Sequence, residues 1–372
     1  MSDPTELEIV EVDPFDDHRF EAWYAVHKAA LEAAVGVDEA AVYGLAETRV
    51  QWQQPTSDEA RTAYAGLLDG EVVAVGVLGV PLLENLTAAS VEVAVAPEHQ
   101  RRGQGRAMLA HVEEAAAAAG RSRLTTEIRF RHEHGTSGHD GDGSRDVAFA
   151  EAAGFRLGIS DVQRWLDLPV ADALLDELAG RAAERHQGYE LRSWVGPVPD
   201  ELAAGWAELD GSLMTEAPMG EMEFEVMHVD VARLREQEES IARQQRTAYH
   251  SVALDGTGAV VAYSMLVQGD ASTVAYQWGT LVRRDHRGHR LGLAVKVANQ
   301  RLLQRERTDT LRVSTWNAEV NDHMIGVNEQ LGFRPVSRMG EFQKKTAADV
   351  PDRGPRDPTR DPARDAERPP VG

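Results

Sequence analysis

Val95-Ala96-Pro97-Glu98-His99-Gln100-Arg101-Arg102-Gly103-Gln104-Gly105-Arg106 is the stretch that decides the fold, and Leu281-Val282-Arg283-Arg284-Asp285-His286-Arg287-Gly288-His289-Arg290-Leu291-Gly292 is its counterpart. Each follows a strand-like run, Ser90–Pro97 in one case and Thr273–Val282 in the other, and each leads into a helix. The first helix is alanine-rich and ends near Ala119; the second ends near Arg305. A helix N-terminus carries unpaired amides and a partial positive charge, so it is ready to hold phosphate oxygens. Glycine lets the backbone curl until successive amides converge on one anion. Arg101, Arg102 and Arg106 add positive charge around the first such turn.

The duplication extends outward from these turns. Further strand candidates follow each helix, Leu124–Phe130 and Thr310–Thr315. Each half then closes with a short helix and a Gly-Phe pair, Phe149-Ala-Glu-Ala-Ala-Gly-Phe155 and Val327-Asn-Glu-Gln-Leu-Gly-Phe333. The starts match as well, since Leu7–Val12 and Tyr189–Trp194 are both strand-like and both precede helical stretches. The first half is longer between turn and closure, and the Gly-rich polar segment 131–144 is the natural loop to hold the excess. The order therefore predicts two tandem domains of mixed α/β (α+β) class. They cover 5–168 and 189–345, with a helical linker at 169–188. The tail 346–372 holds six prolines, eleven charged residues and no aromatic, and cannot bury enough apolar surface to offset ordering entropy.

Composition narrows the function. The chain has 372 residues, a net charge of −22 and no cysteine. Thiolate nucleophiles, disulfides and cysteine-ligated zinc are excluded, and a cytoplasmic setting is expected. No apolar run is long enough to span a membrane, and an acidic chain lacks the basic face that a nucleic-acid partner requires. The acidity fits a cationic or amine-bearing small substrate, or only a soluble surface. His132, His134, His139 and Asp140 have spacings that zinc can use, but the glycines around them describe a mobile loop, and no metal site is expected.

The turn Val95–Gly105, with its Val95-x-Pro97 lead-in, resembles the signature of the GCN5-related N-acetyltransferase (GNAT) superfamily, whose members grip the coenzyme A pyrophosphate with this loop. The resemblance covers both halves, and the layout is similar to mycothiol synthase and related actinobacterial acetyltransferases. It implies two GNAT folds, each a central, mostly antiparallel, splayed sheet flanked by helices. By the same resemblance acetyl-CoA would pair with Val95, Ala96, Pro97 and Leu281, Val282, Arg283. Its pyrophosphate would sit on Gln100–Arg106 and Arg287–Gly292, and its pantetheine arm would touch Asn321, which can equally be only a helix cap. Arg290 stands where the family's first glycine sits, and a side chain there either crowds the pyrophosphate or donates to it; donation is the expectation.

The family's proton carriers are missing. The glutamate six residues before the lead-in valine is Ala89 in one half and Tyr276 in the other, and the tyrosine before the closing Phe is Ala150 or Asn328. The first half therefore reads as degenerate or supporting, and the second as catalytic, with Tyr276 and Asn328 as candidates working through water. The implied reaction moves an acetyl or short acyl group from coenzyme A to a primary amine of a small molecule. A mycothiol-synthase-like acetylation of a cysteine amine and a non-catalytic acyl-CoA sensor remain as alternatives. The acidic run Glu216–Glu223 is either an acceptor pocket or a solvated loop. Two like domains in one chain can pack as an internal pseudo-dimer, which allows a monomer.

Overall fold

A computed structural model describes residues 7–131, 143–216, 218, 220–223, 225 and 229–346. The histidine loop and all but the first residue of the C-terminal tail lie outside the described residues.

The first half runs β1 (Glu8–Glu11), α1 (Asp17–Val35), α2 (Val37–Ala40), α3 (Leu45–Trp52), β2 (Glu59–Leu68), β3 (Glu71–Pro81), β4 (Ala88–Val95), α4 (Gln104–Ala118), β5 (Arg123–Arg131), α5 (Arg145–Ala152) and β6 (Arg156–Asp167). A connecting helix, α6 (Asp172–Ala183), precedes the second half. There follow β7 (Glu190–Val195), α7 (Asp200–Gly211), α8 (Leu213–Glu216), α9 (Val231–Arg243), β8 (Arg246–Leu254) and β9 (Val260–Gly269). The chain closes with β10 (Val274–Val282), α10 (Leu291–Glu306), β11 (Arg312–Ala318), α11 (Asp322–Leu331) and β12 (Arg334–Lys345). Side-chain caps start several helices: Asp16 accepts from Arg19 N, Ser144 from Val147 N, Asp230 from Arg233 N and Asn321 from Met324 N. Among the described residues no helix is long and apolar enough to cross a membrane.

The twelve strands among the described residues form one sheet, in the order β1-β2-β3-β4-β5-β12-β6-β11-β10-β9-β8-β7. The closing strands are exchanged. The last strand of the second half, β12, pairs along β5, and the last strand of the first half, β6, pairs along β11. Between them β6 and β12 pair antiparallel, with Met339 opposite Asp161. Packing follows the exchange. Phe342 of β12 is fully buried in the first half's core with Leu124, Phe130 and Phe155, whereas Leu166 of β6 packs with Val313, Leu331 and Phe333 of the second. The connecting helix also belongs to the second core, since Leu175, Leu178 and Ala182 pack with Leu293 and Val297 of α10. Covered by α10 on one face and α7 on the other, β9 is buried at every position and, Ser264 and Gln268 apart, reads as an apolar run rather than an alternating one.

Phe342→Ala should cost about 3–5 kcal/mol, the usual range for a buried aromatic. Because of the exchange, its damage should appear in the first half although the residue lies in the second. Hydrogen exchange measured strand by strand should show faster exchange in β3–β5 than in β8–β10, and the reverse ranking would refute the exchanged pairing.

Candidate active site

Strands β10 and β11 pair in parallel only from Val274–Tyr276 to Arg312–Ser314. Beyond that they part, β10 staying with β9 and β11 with β6. Their inner edges, Gln277–Val282 and Thr315–Ala318, face each other across a cavity of about 630 Å³. A β-bulge between Gln277 and Gly279 bends β10 at the mouth of the split. The Gln277 amide holds it by donating to Met265 O (2.7 Å) and Gly279 O (2.8 Å). In the first half β4 and β5 also separate after Ser90 and Thr125, but β4 keeps an unbroken register with β3 from Ser90 to Val95. The splay is thus common to both halves, and the bulge at this point belongs to the second.

The two turns share one backbone path made from different residues. Left-handed backbone occurs at Arg101 (φ 66°) and Gly103 (φ 95°) in the first, and at Gly288 (φ 87°) and Arg290 (φ 55°) in the second. Each turn has one glycine and one arginine at these two positions, in opposite order. A left-handed arginine costs about 1–2 kcal/mol, which one glycine per turn spares at the other position. The residue opening each turn ties it to the strand end: Gln100 Nε2 donates to Val95 O (3.2 Å) and Arg287 Nε to Val282 O (3.3 Å).

The first helical bond of α10 is Ala294 N to Arg290 O, so the amides of Leu291, Gly292 and Leu293 stand at the open end. A Cβ on Gly292 would meet only Val282 Cγ2, at 3.6 Å. These groups border a second cavity of about 430 Å³, which shares Val282, Arg287, Gly288, Gly292 and His323 with the first. The Arg290 guanidinium donates to Arg181 O (2.5 Å) and Glu184 Oε2 (3.4 Å) at the end of α6. Its backbone therefore shapes the turn while its side chain is held by the connecting helix. Across the turn, Glu216 receives Arg287 Nη2 (2.8 Å) and Arg284 Nε (3.3 Å).

The larger cavity passes through the split to the opposite face of the sheet. There Asp161 of β6 and Glu341 of β12 line it, with Glu127 of β5 directly opposite Glu341. Burial and the nearby Glu127 carboxylate push Asp161 up to about 6; burial, with Asp161 and Glu127, pushes Glu341 up to about 7. The neighbouring cation, Arg129, is drawn away to Ala40 O (2.8 Å) and the Trp316 ring. From the helix side of the split Lys296 lines the same cavity, only 3% exposed. Its ammonium lies 5.2 Å from the Phe333 ring centre, and among the described residues it has no hydrogen-bond or ion-pair partner. Burial alone lowers it to about 7.

The acetyltransferase (GNAT) family profile matches residues 17–134. A tandem GNAT protein from the clavulanic acid biosynthesis pathway is 29% identical, superposes with a TM-score of 0.74, and the match covers 91% of this chain and 98% of that one. Residues 17–134 thus match a GNAT domain, and the chain as a whole shares its fold with a tandem GNAT protein. A GNAT from Sphaerobacter thermophilus shares the fold at 16% identity and a TM-score of 0.61, over 91% of this chain and 95% of its own. No curated protein matches in sequence.

Within this fold, the residues expected from sequence fall in three places. Val282, Arg287, Gly288, Arg290, Leu291, Gly292 and Asn321 line the cavities, with Asn321 also capping α11 through Met324 N (3.2 Å). Tyr276 sits on the acid-lined sheet face, at the closed end of the split, edge-on to Tyr43 (5.3 Å). Burial raises its hydroxyl well above the ordinary range, so it is no base near neutrality. Asn328 lines neither cavity; it is fully buried and donates to Asn317 Oδ1 (2.5 Å). Of the acidic run, Glu216 and Pro218 reach the cavity, while Glu223 pairs with Lys345 (2.7 Å).

Three groups escaped the sequence reading. Lys296 had a signal, a lone cation inside the apolar run Leu291–Ala298. Asp161 and Glu341 had none, because only the strand exchange brings them here.

Lys296 also makes a pH prediction. The folded amine gives up its proton near 7, whereas the unfolded one does so near 10.4. Between those values the unfolded chain binds more protons, so raising the pH stabilises the fold. Lys296→Met should be the more stable protein at about pH 7 and lose that lead by about pH 10. Urea midpoints for both proteins at the two pH values check this, and a constant difference would mean that Lys296 titrates normally.

Proposed function

We propose that the second half transfers an acetyl or other short acyl group from coenzyme A to a primary amine of a small molecule, with the first half as a supporting domain. One observation carries this reading: two adjoining cavities that share Val282, Arg287, Gly288, Gly292 and His323 extend from the open amides of α10, through the split between β10 and β11, to the carboxylates of Asp161 and Glu341. Phosphates suit the first end and an ammonium the last. The free edges of the split suit the amide-bearing pantetheine arm, which would add to them as a strand does.

The protein's contribution is positional and electrostatic. Backbone groups around the bulge at Gln277–Gly279 face the middle of the split, where a thioester carbonyl would gain negative charge. Asp161 and Glu341 hold the acceptor's ammonium, and the one ionised at neutral pH takes its proton, leaving the lone pair free to attack. Since Asp161 comes from β6, the first half serves the reaction by completing the second half's site.

The test is a panel of amino acids, polyamines and aminosugars incubated with acetyl-CoA, with thiol release as readout. Turnover should appear with some of these amines, and Gly292→Glu should abolish it by placing a carboxylate among the amides. Gly105→Glu, the equivalent change in the first turn, should retain most of it. Asp161→Asn should lower turnover about tenfold to a hundredfold. Turnover lost in Gly105→Glu and kept in Gly292→Glu would move the site to the first half.

A further inference from the structure

Resting on the reading of the second half as an acyltransferase, we propose that Lys296 protonates the sulfur of the departing thiolate, the task for which this chain has no tyrosine. Lys296 lies four residues beyond Gly292, so it sits about 6 Å further along α10 from the phosphate-ready amides. The helix runs back alongside β10, and that distance spans about two strand residues from Val282, towards Thr280 and the bulge at Gly279. The ammonium therefore stands at the depth of the split where the acyl group would be presented. The acids stand on the opposite side of the sheet. Acceptor and leaving group then meet different proton carriers from opposite faces.

The surroundings explain why this lysine is available. An unpaired buried ammonium is unfavourable and persists only where something gains from it. The other charged groups on the cavity wall are already committed or distant in role: Glu216 is held by Arg284 and Arg287, and Asp161 and Glu341 lie across the split with Glu127. From α6, Asp176 pairs with Arg301 and Glu184 with Arg290. From β8, Tyr249 and His250 are buried, and burial holds the His250 imidazole neutral. From α11, His323 reaches the shared part of the two cavities. None of these is bonded to Lys296 among the described residues. Burial makes this amine a stronger proton donor than an ordinary lysine, and the negative charge of a thiolate beside it would keep it protonated until the sulfur takes the proton.

The step balances. The ionised carboxylate takes the first proton of the acceptor ammonium and passes it to bulk water; the freed nitrogen then forms the new C–N bond, and its extra proton passes to the same carboxylate. The C–S bond breaks with its electron pair on sulfur, and the sulfur takes a proton from Lys296 Nζ. Water then returns a proton from the carboxylate to the amine.

Two measurements test this, one without turnover. With coenzyme A bound, the ultraviolet absorbance of its thiolate is titrated in the wild type and in Lys296→Met. The ammonium should lower the bound thiol by about one unit or more, and Lys296→Met should restore the free value. In turnover with acetyl-CoA and the amine panel, Lys296→Met should lose about a hundredfold or more in kcat while KM for acetyl-CoA stays within about twofold. The alkaline limb of the wild-type kcat profile should vanish in the variant. Lys296→Arg keeps the charge but cannot release a proton, so it should stay as slow. Lys296→Gln repeats the test should Lys296→Met fail to fold. Unchanged thiol titration, kcat within threefold of wild type, or full rescue by arginine would each overturn the assignment. Calorimetry showing no coenzyme A binding by the wild type would instead overturn the acyltransferase reading and this proposal with it.

Discussion

The antiparallel pairing of β6 with β12 is the contact on which the rest of the molecule depends. Each strand closes its own half in sequence and completes the other half in space. Because β12 pairs on both sides, with β5 and with β6, its backbone groups are satisfied only when both halves are present. The fully buried Phe342 ties the same strand into the first core, and Leu166 ties β6 into the second. Two domains that could have been beads on a string are thus one sheet without a closing edge at its centre, where unpaired edges would otherwise invite association.

The exchange also decides which side chains line the cavity of the second half. Both halves split their central strands and both present helix N-terminal amides at the same kind of turn. The bulge, Lys296, Asp161 and Glu341 all line the cavity of the second. Asp161 and Glu341 approach it from the two exchanged strands, so the acid face is a property of the pair of domains. A degenerate first copy retained for this reason would not need its own proton carriers, which accords with Ala89 and Ala150 being simply buried.

Charge is distributed along the split with opposite character at its ends. Amides and Arg287 border one end, carboxylates the other, and Lys296 stands between them with no partner among the described residues. Such an arrangement is costly in a low-dielectric interior, because like-charged acids raise one another and burial lowers the amine. All three groups are displaced towards neutrality, where small changes in environment move a proton.

The sequence by itself determined the repeat, the strand–turn–helix units and the two loops, since local geometry is carried by local residues: glycine for left-handed backbone, asparagine and aspartate for caps, alternation for strands. Val282, Gly288 and Gly292, picked out together by the sequence, share one cavity wall, because a turn and its helix are neighbours in the chain. It misplaced the weight given to Asn328, whose family position is a catalytic one but whose side chain here braces α11 against β11. Arg290 was expected to reach for phosphate, yet its guanidinium is held by α6, a helix more than a hundred residues away in sequence. Asp161 and Glu341 were invisible because nothing in a single strand tells which sheet it will join; strand pairing is set by long-range packing and hydrogen bonding, and here that pairing crosses between the halves. Only the tertiary structure could bring a residue of the first half into the working space of the second.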